Sequence, residues 1–220
     1  MALKHEAVHP LLGFVCGFGP LPSLVSPWLD GGNLTRYLKA YPDLSLDRRL
    51  HLLQRIAEGM HYLHSQRILH GDLNGGNILL DTQGNPYIVD YGLLPLILDF
   101  RVSPYISTPV GRAVRWVAPD LFQTPAGEDG AKTNFTFEGD VYSFGSLMLQ
   151  VLTGQVPYHY IERDEQVVYT IAQGLRPHRP SSQDIADEHW NFIQTCWATN
   201  PADRPSAEEL VSFLRRQHTT

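Results

Sequence analysis

The chain is predicted to be an α+β unit, mainly α, with a few short strands at the front and helices behind. Three features carry that expectation. Short apolar runs bounded by Gly and Pro fill the first 30 residues, and an apolar stripe of helical period runs from Leu46 to Leu63. Residues 141–152 are apolar on nearly every face. With 220 residues, 43% of them apolar, the chain is long enough to bury one substantial core and is not of disordered composition.

Taken in order, residues 11–16 and 24–29 read as a pair of strands. Asp30-Gly31-Gly32 is a turn, Asn33 caps a short helix reaching Tyr41, and Pro42 ends it. Ser45 caps the next helix, Asp47 suits its positive first turn, and Leu46, Leu50, Leu53, Ile56, Ala57, Met60 and Leu63 face the core. Residues 78–80 and 87–89 form a hairpin around the turn 81–85. From Leu93 to Phe122 no period is visible, which predicts a long loop. A helix over 141–152, buried all round, stops at Gly154 and Pro157. Amphipathic stretches over 164–173 and 187–197 follow, and Ser206 with Glu209 forms a capping box before the last helix.

Composition excludes several classes. A net charge of −6 gives no basic footprint for nucleic acid or an anionic membrane. Cys16 and Cys196 cannot build a disulfide framework, so no disulfide-linked partner is expected. No apolar run approaches the roughly 18 residues of a membrane span, and the opening residues lack the apolar stretch of a signal peptide. The expected setting is therefore cytoplasmic, which makes the sequons at Asn33 and Asn134 incidental.

Chemistry concentrates in His70-Gly-Asp-Leu-Asn-Gly-Gly-Asn77 and, after the hairpin, Asp90-Tyr-Gly92. A carboxylate, a carboxamide five positions later and a second carboxylate fit phosphoryl transfer. One acid can orient a hydroxyl, while carboxamide and acid together hold Mg²⁺, a hard cation that takes oxygen ligands. Either fragment alone is equally well a polar turn; together at this spacing they point to the chemistry.

These residues resemble the eukaryotic protein kinases, most closely the tyrosine-kinase-like group of Ser/Thr kinases. His70 to Asn77 stands where that family has its His-Arg-Asp catalytic loop, and Asp90-Tyr91-Gly92 where it has Asp-Phe-Gly. Ala118-Pro119-Asp120 resembles the Ala-Pro-Glu closing the activation segment, and Asp140-Val-Tyr-Ser-Phe-Gly145 the start of the central helix. Asn200-Pro-Ala-Asp-Arg-Pro205 resembles the segment whose arginine pairs with the Ala-Pro-Glu acid, which predicts a buried Asp120–Arg204 pair. Small-molecule kinases similar to aminoglycoside and choline phosphotransferases share His-Gly-Asp-Leu and Gly-Asn but normally lack an Ala-Pro-Glu segment and the Asp-Val-Tyr-Ser-Phe-Gly helix.

The resemblance implies a protein-kinase-like helical C-lobe over residues 30–220, with an N-lobe remnant and hinge over 1–29. It makes Asp72 and Asn77 the catalytic pair, places Mg²⁺ on Asn77 and Asp90, and assigns ATP contacts to Ser26, Pro27, Leu29 and Leu79. Ser26 takes the gatekeeper position, Leu79 the floor under adenine, and adenine would use the Pro27 carbonyl and the Leu29 N–H. Tyr91 replaces the usual Phe, so its hydroxyl needs a partner if buried.

The departures from the family pattern are as informative. Neither a Gly-rich phosphate loop nor a strand with the phosphate-pairing Lys precedes the hinge within these residues, and Glu6 is too near the next strand to be that Lys's partner. Gly71 replaces the Arg that senses activation-loop phosphate, Asn74 the Lys beside the transferred phosphoryl group, and Ala113 a Thr bonded to that Lys. Losing that cation removes roughly a few kcal/mol of transition-state stabilisation. His61 and His64, three apart on a helix, read as a partly solvated face rather than a metal pair, and Cys196 beside Trp197 as core. The apolar run 93–98 reads as packing where the absent helix of the small lobe would lie, with a docking surface as the second reading.

Two functions follow. One is phosphoryl transfer from ATP to a protein Ser or Thr, with Tyr the lesser alternative, once the missing N-lobe is supplied; the 220 residues alone are expected to be inactive. The other is a catalytically inactive pseudokinase that binds or scaffolds a signalling partner.

Overall fold

A computed structural model describes residues 3–17, 23–93, 113–122, 135–180 and 185–217. Six helices and two small sheets are present among them, and the helices enclose the main core. The expected activation-segment residues 94–112, including the apolar run beyond Leu93, lie outside the described residues.

The front strands are shorter than their apolar runs. β1 (Gly13–Val15) pairs antiparallel with β2 (Ser23–Val25), setting Phe14 opposite Leu24. Residues 26–29 leave the ladder because Pro27 has no N–H to continue it. Both strands are largely exposed, with Phe14 at 70%, and Trp28 beyond β2 is 85% exposed.

α1 (Leu34–Ala40) starts where expected, with Asn33 Oδ1 accepting from the Arg36 amide. α2 (Leu46–Ser65) starts at Ser45, whose hydroxyl accepts from the Arg48 amide at 3.2 Å. Its stripe from Leu50 to Leu63 is buried, but Leu46 is 52% exposed: in the first turn it lies before the core begins. β3 (Ile78–Leu80) and β4 (Pro86–Ile88) make the second antiparallel sheet, one residue earlier at β4 than expected. Asp81 closes its turn by accepting from the Gln83 and Asn85 amides.

α3 (Phe137–Thr153) is the central element. Thr136 caps it, residues 140–152 are all buried, and Gly154 ends it in the left-handed conformation. α4 (Asp164–Ala172), α5 (Asp187–Cys196) and α6 (Ala207–Gln217) follow; α5 and α2 pack on α3, α4 packs on the turns at 114–116 and 119–122, and α6 packs most extensively on α2. The capping box forms: Ser206 Oγ accepts from the Glu209 amide while Glu209 accepts from the Ser206 amide. Cys196 is core, and burial pushes its thiol up to about 12. Among the described residues no helix is long and apolar enough to cross a membrane.

The stretch without period is not structureless where described. Residues 114–116 and 119–122 form 3₁₀ turns held by two arginines. Arg115 donates to Asp164 and to the Tyr158 and Ile161 carbonyls. Arg204 grips Asp120 bidentately, NH1 to Oδ2 at 2.6 Å and NH2 to Oδ1 at 2.8 Å, and also donates to the Ala198 and Glu138 carbonyls. The guanidinium is wholly buried while Asp120 keeps 28% exposure, so one end of the pair is solvated. Arg204→Ala is therefore expected to lose about 3 kcal/mol, the low end for a buried pair. Calorimetry should show the melting temperature falling by roughly 6–12 °C for a chain of this size.

Candidate active site

The site is assembled from the loop between α2 and β3 and the residues just after β4. Its foundation is Asp140 in the first turn of α3, a carboxylate only 2% exposed. Oδ2 accepts from the His70 amide at 2.8 Å and from His64 Nε2 at 2.9 Å, and Oδ1 accepts from the Gly71 amide at 2.9 Å. Gly71 has φ of +79°, a conformation that costs glycine little.

His70 is fully buried, and its Nδ1 accepts from the Asp72 amide at 3.3 Å. Nε2 therefore carries the hydrogen. Burial lowers the pKa of the ring below 6.5, opposed by the Asp140 and Asp90 charges and the Val89 backbone. Next, Asn77 Nδ2 donates to both the Asp72 carbonyl, at 2.9 Å, and its carboxylate, at 3.0 Å. Asn74 is 7% exposed and turns inward: Nδ2 donates to the Asp72 carbonyl, and Oδ1 accepts from the Gly76 amide. The residue standing in place of the family's lysine thus closes the loop instead of facing a substrate.

The Val89 amide donates to the Asn77 carbonyl at 3.0 Å, which ties the residue before Asp90 to the loop. Asp90 has φ of +58°, a strained conformation for a non-glycine that costs of order 1–3 kcal/mol and clusters at functional sites. Gly92 follows, its amide donating to the His70 carbonyl. Tyr91 finds the partner its hydroxyl needs, donating to the His9 carbonyl at 3.0 Å.

The expected hinge residues are less well united. Ser26 and Asp90 line one small cavity, about 70 Å³, with His9, Leu11, Leu24 and Tyr91, but Pro27, Leu29 and Leu79 lie outside it. His9 Nε2 donates to the Pro27 carbonyl at 2.9 Å, so the acceptor assigned to adenine already holds a protein donor. Leu79 is half-buried in β3, paired with Asn33. Glu6 pairs with Arg55 at 3.0 Å, away from the catalytic loop. Among the described residues no cluster of three or more ligating side chains occurs, and His64 Nε2 bonds the Asp140 carboxylate.

His9 and His64 were missed as site residues because each finds its partner across the fold, His9 at Pro27 and His64 at Asp140. No local spacing signals such pairs.

The family described as protein tyrosine and serine/threonine kinase matches residues 1–214, and the chain belongs to it. A probable serine/threonine-protein kinase of Dictyostelium discoideum is 32% identical over 96% of this chain and 14% of its own length. The serine/threonine/tyrosine-protein kinase HT1 of Arabidopsis thaliana is 29% identical over 98% of this chain and 53% of its own. Receptor-interacting serine/threonine-protein kinase 2 of Bos taurus is 30% identical over 92% and 39%. The chain thus spans from one seventh to about half the length of these relatives.

Two expectations test the site. A Cβ on Gly75 would lie 2.4 Å from Thr35 Oγ1 and 2.7 Å from Gln150 Oε1, whose side chains are hydrogen-bonded to each other. Gly75→Ala should cost about 1–3 kcal/mol in urea unfolding, the usual penalty of overpacking. For His70 the folded chain binds its proton less readily than the unfolded chain, in which the ring titrates near 6.5. Its contribution is whole above that value and is lost as pH falls from there toward the lowered folded value. As the pH is lowered through the value of a free histidine, near 6.5, the His70 ring resonance should stay at its neutral position while stability declines.

Proposed function

We propose that residues 30–220 are the helical lobe of a protein kinase, that residues 1–29 are a small-lobe remnant and hinge, and that the chemistry served is phosphoryl transfer from ATP to a protein Ser or Thr. The observation that carries this reading is the Asp72–Asn77 pairing, with Asp90 tethered beside it through Val89. Asp72 orients the acceptor hydroxyl and takes up its proton. Because Asn77 spends Nδ2 on Asp72, its remaining donor atom toward a cation is the carboxamide oxygen, which with the Asp90 carboxylate suits Mg²⁺. When bound, Mg²⁺ neutralises charge on the phosphates.

The roof over adenine and the phosphate-binding lysine belong, in this reading, to a segment other than these 220 residues. The exposed apolar side chains of Leu12, Phe14 and Trp28 offer the surface on which it rests. The second reading, a binding or scaffolding pseudokinase, is favoured by the inward-turned Asn74 and the occupied Pro27 carbonyl.

Calorimetric titration of the chain with Mg-ATP separates the two. Half a nucleotide cleft should bind with Kd weaker than about 1 mM, under roughly 4 kcal/mol. Asp90→Ala and Asn77→Ala should each abolish the response, and the chain alone should transfer no phosphate. A response unchanged in both variants removes the metal assignment; no response even at saturating Mg-ATP leaves the scaffolding reading standing.

A further inference from the structure

We infer that the turn over residues 5–8 is an acid-released clasp: a proton taken up at His5 Nδ1 frees residues 5–9, and with them the hinge, from α2 and β4. In the closed turn His5 Nδ1 accepts from the Ala7 amide at 3.1 Å, and the Val8 amide donates to the His5 carbonyl at 3.2 Å. The neutral ring therefore carries its hydrogen on Nε2. Its face lies on Tyr62 of α2, with centroids 4.9 Å apart and planes at 20°, and the Lys4 amide donates to the Tyr62 hydroxyl.

A glycine makes room for this turn. Ala7 is fully buried, and a Cβ on Gly59 of α2 would come within 3.0 Å of the Ala7 carbonyl oxygen and 3.2 Å of its Cβ. From that seat the Ala7 carbonyl accepts from the Ile88 amide at 2.8 Å, and the His9 amide donates to the Ile88 carbonyl at 2.9 Å. His9 in turn holds the Pro27 carbonyl with its ring and the Tyr91 hydroxyl with its carbonyl. What His5 fixes is thus passed along β4 to the hinge and to the Asp-Tyr-Gly turn.

Protonation undoes the arrangement at one atom. A hydrogen on Nδ1 turns the acceptor into a donor, so the Ala7 amide loses its partner in a turn packed against α2. Burial and then the Arg55 charge hold the ring's pKa below 6.5; His61 adds to the lowering, while Glu58 and Glu6 oppose it. Tyr62 lies under the ring and Lys4 precedes it in the chain. The closed turn therefore binds the proton less readily than the open one. Its stability is whole above 6.5 and is lost as pH falls toward the lowered value.

Site-resolved amide hydrogen exchange of the 220-residue chain tests the clasp, as protection factors above and below pH 6.5 with buried α3 amides as the reference for global unfolding. Protection at Ala7, Val8 and Ile88 should fall about fivefold to tenfold further than at the reference once His5 is protonated, the scale of one lost hydrogen bond. His5→Asn, whose side-chain oxygen caps an amide two residues on without titrating, should keep the turn closed at both pH values. His5→Phe keeps a stacking ring without an acceptor and should leave the turn open at both. A loss no larger than the reference's, a pH response that survives in His5→Asn, or full protection in His5→Phe at neutral pH would each overturn the proposal. Should the variants not fold, ¹⁵N spectra of the unsubstituted chain decide. The neutral His5 ring must carry its hydrogen on Nε2, and the Ala7 amide must shift with the midpoint of the ring; the other tautomer or separate midpoints sink the claim. None of residues 5–8, Gly59 or Tyr62 is assigned to nucleotide or metal, so failure of the Mg-ATP titration leaves the clasp standing and failure of the clasp leaves the phosphoryl-transfer reading standing.

Discussion

A charge in the middle of a helical core is the constraint on which the site depends. Asp140 sits at the start of a helix whose next twelve residues are all buried, and is itself only 2% exposed. Desolvating an ion costs several kcal/mol unless hydrogen bonds compensate, and a glycine-bearing loop beside it supplies them. From the His70 and Gly71 amides the order passes through the His70 ring to Asp72, through Asp72 to Asn77, and through Asn77 to Val89 and Asp90. Each link is a hydrogen bond to a group that already has a fixed place. The polar loop is in this sense a consequence of the apolar helix.

At the front the constraint weakens. β1 and β2 form an isolated two-stranded ladder, which has little stability of its own. Its connection to the site runs through His9, whose amide donates to Ile88, whose carbonyl accepts from Tyr91, and whose ring donates to Pro27. One residue thus joins the hinge to the Asp-Tyr-Gly turn. The same bond engages one of the two lone pairs of the Pro27 carbonyl.

Much of the fold was legible because its signals are local. The apolar stripe from Leu50 to Leu63, the caps at Asn33 and Ser45, and the Ser206–Glu209 box each follow from residues within a turn or two of one another. Motif order made the Asp120–Arg204 pair legible across 84 positions, through resemblance and not through any pattern in the chain itself. What escaped was long-range and polar. Arg49 is buried and donates to the Pro42, Leu44 and Val151 carbonyls, although its neighbour Arg48 gave no reason to treat the two differently. His64 looked like a solvated face for the same reason. Nothing in the sequence around it shows that Asp140 lies at the other end of the bond.

The two substitutions in the catalytic loop separate shape from chemistry. Gly71 keeps the amide that Asp140 requires, and Asn74 supplies two hydrogen bonds inside the loop, so both preserve the backbone path. Neither brings a positive charge to the site, since one has no side chain and the other is neutral and turned inward. A loop held in this way can present Asp72, Asn77 and Asp90 correctly and still lack the cation that steadies a developing phosphoryl charge. Family membership therefore accounts for where the acids stand and does not by itself bring a positive charge beside them.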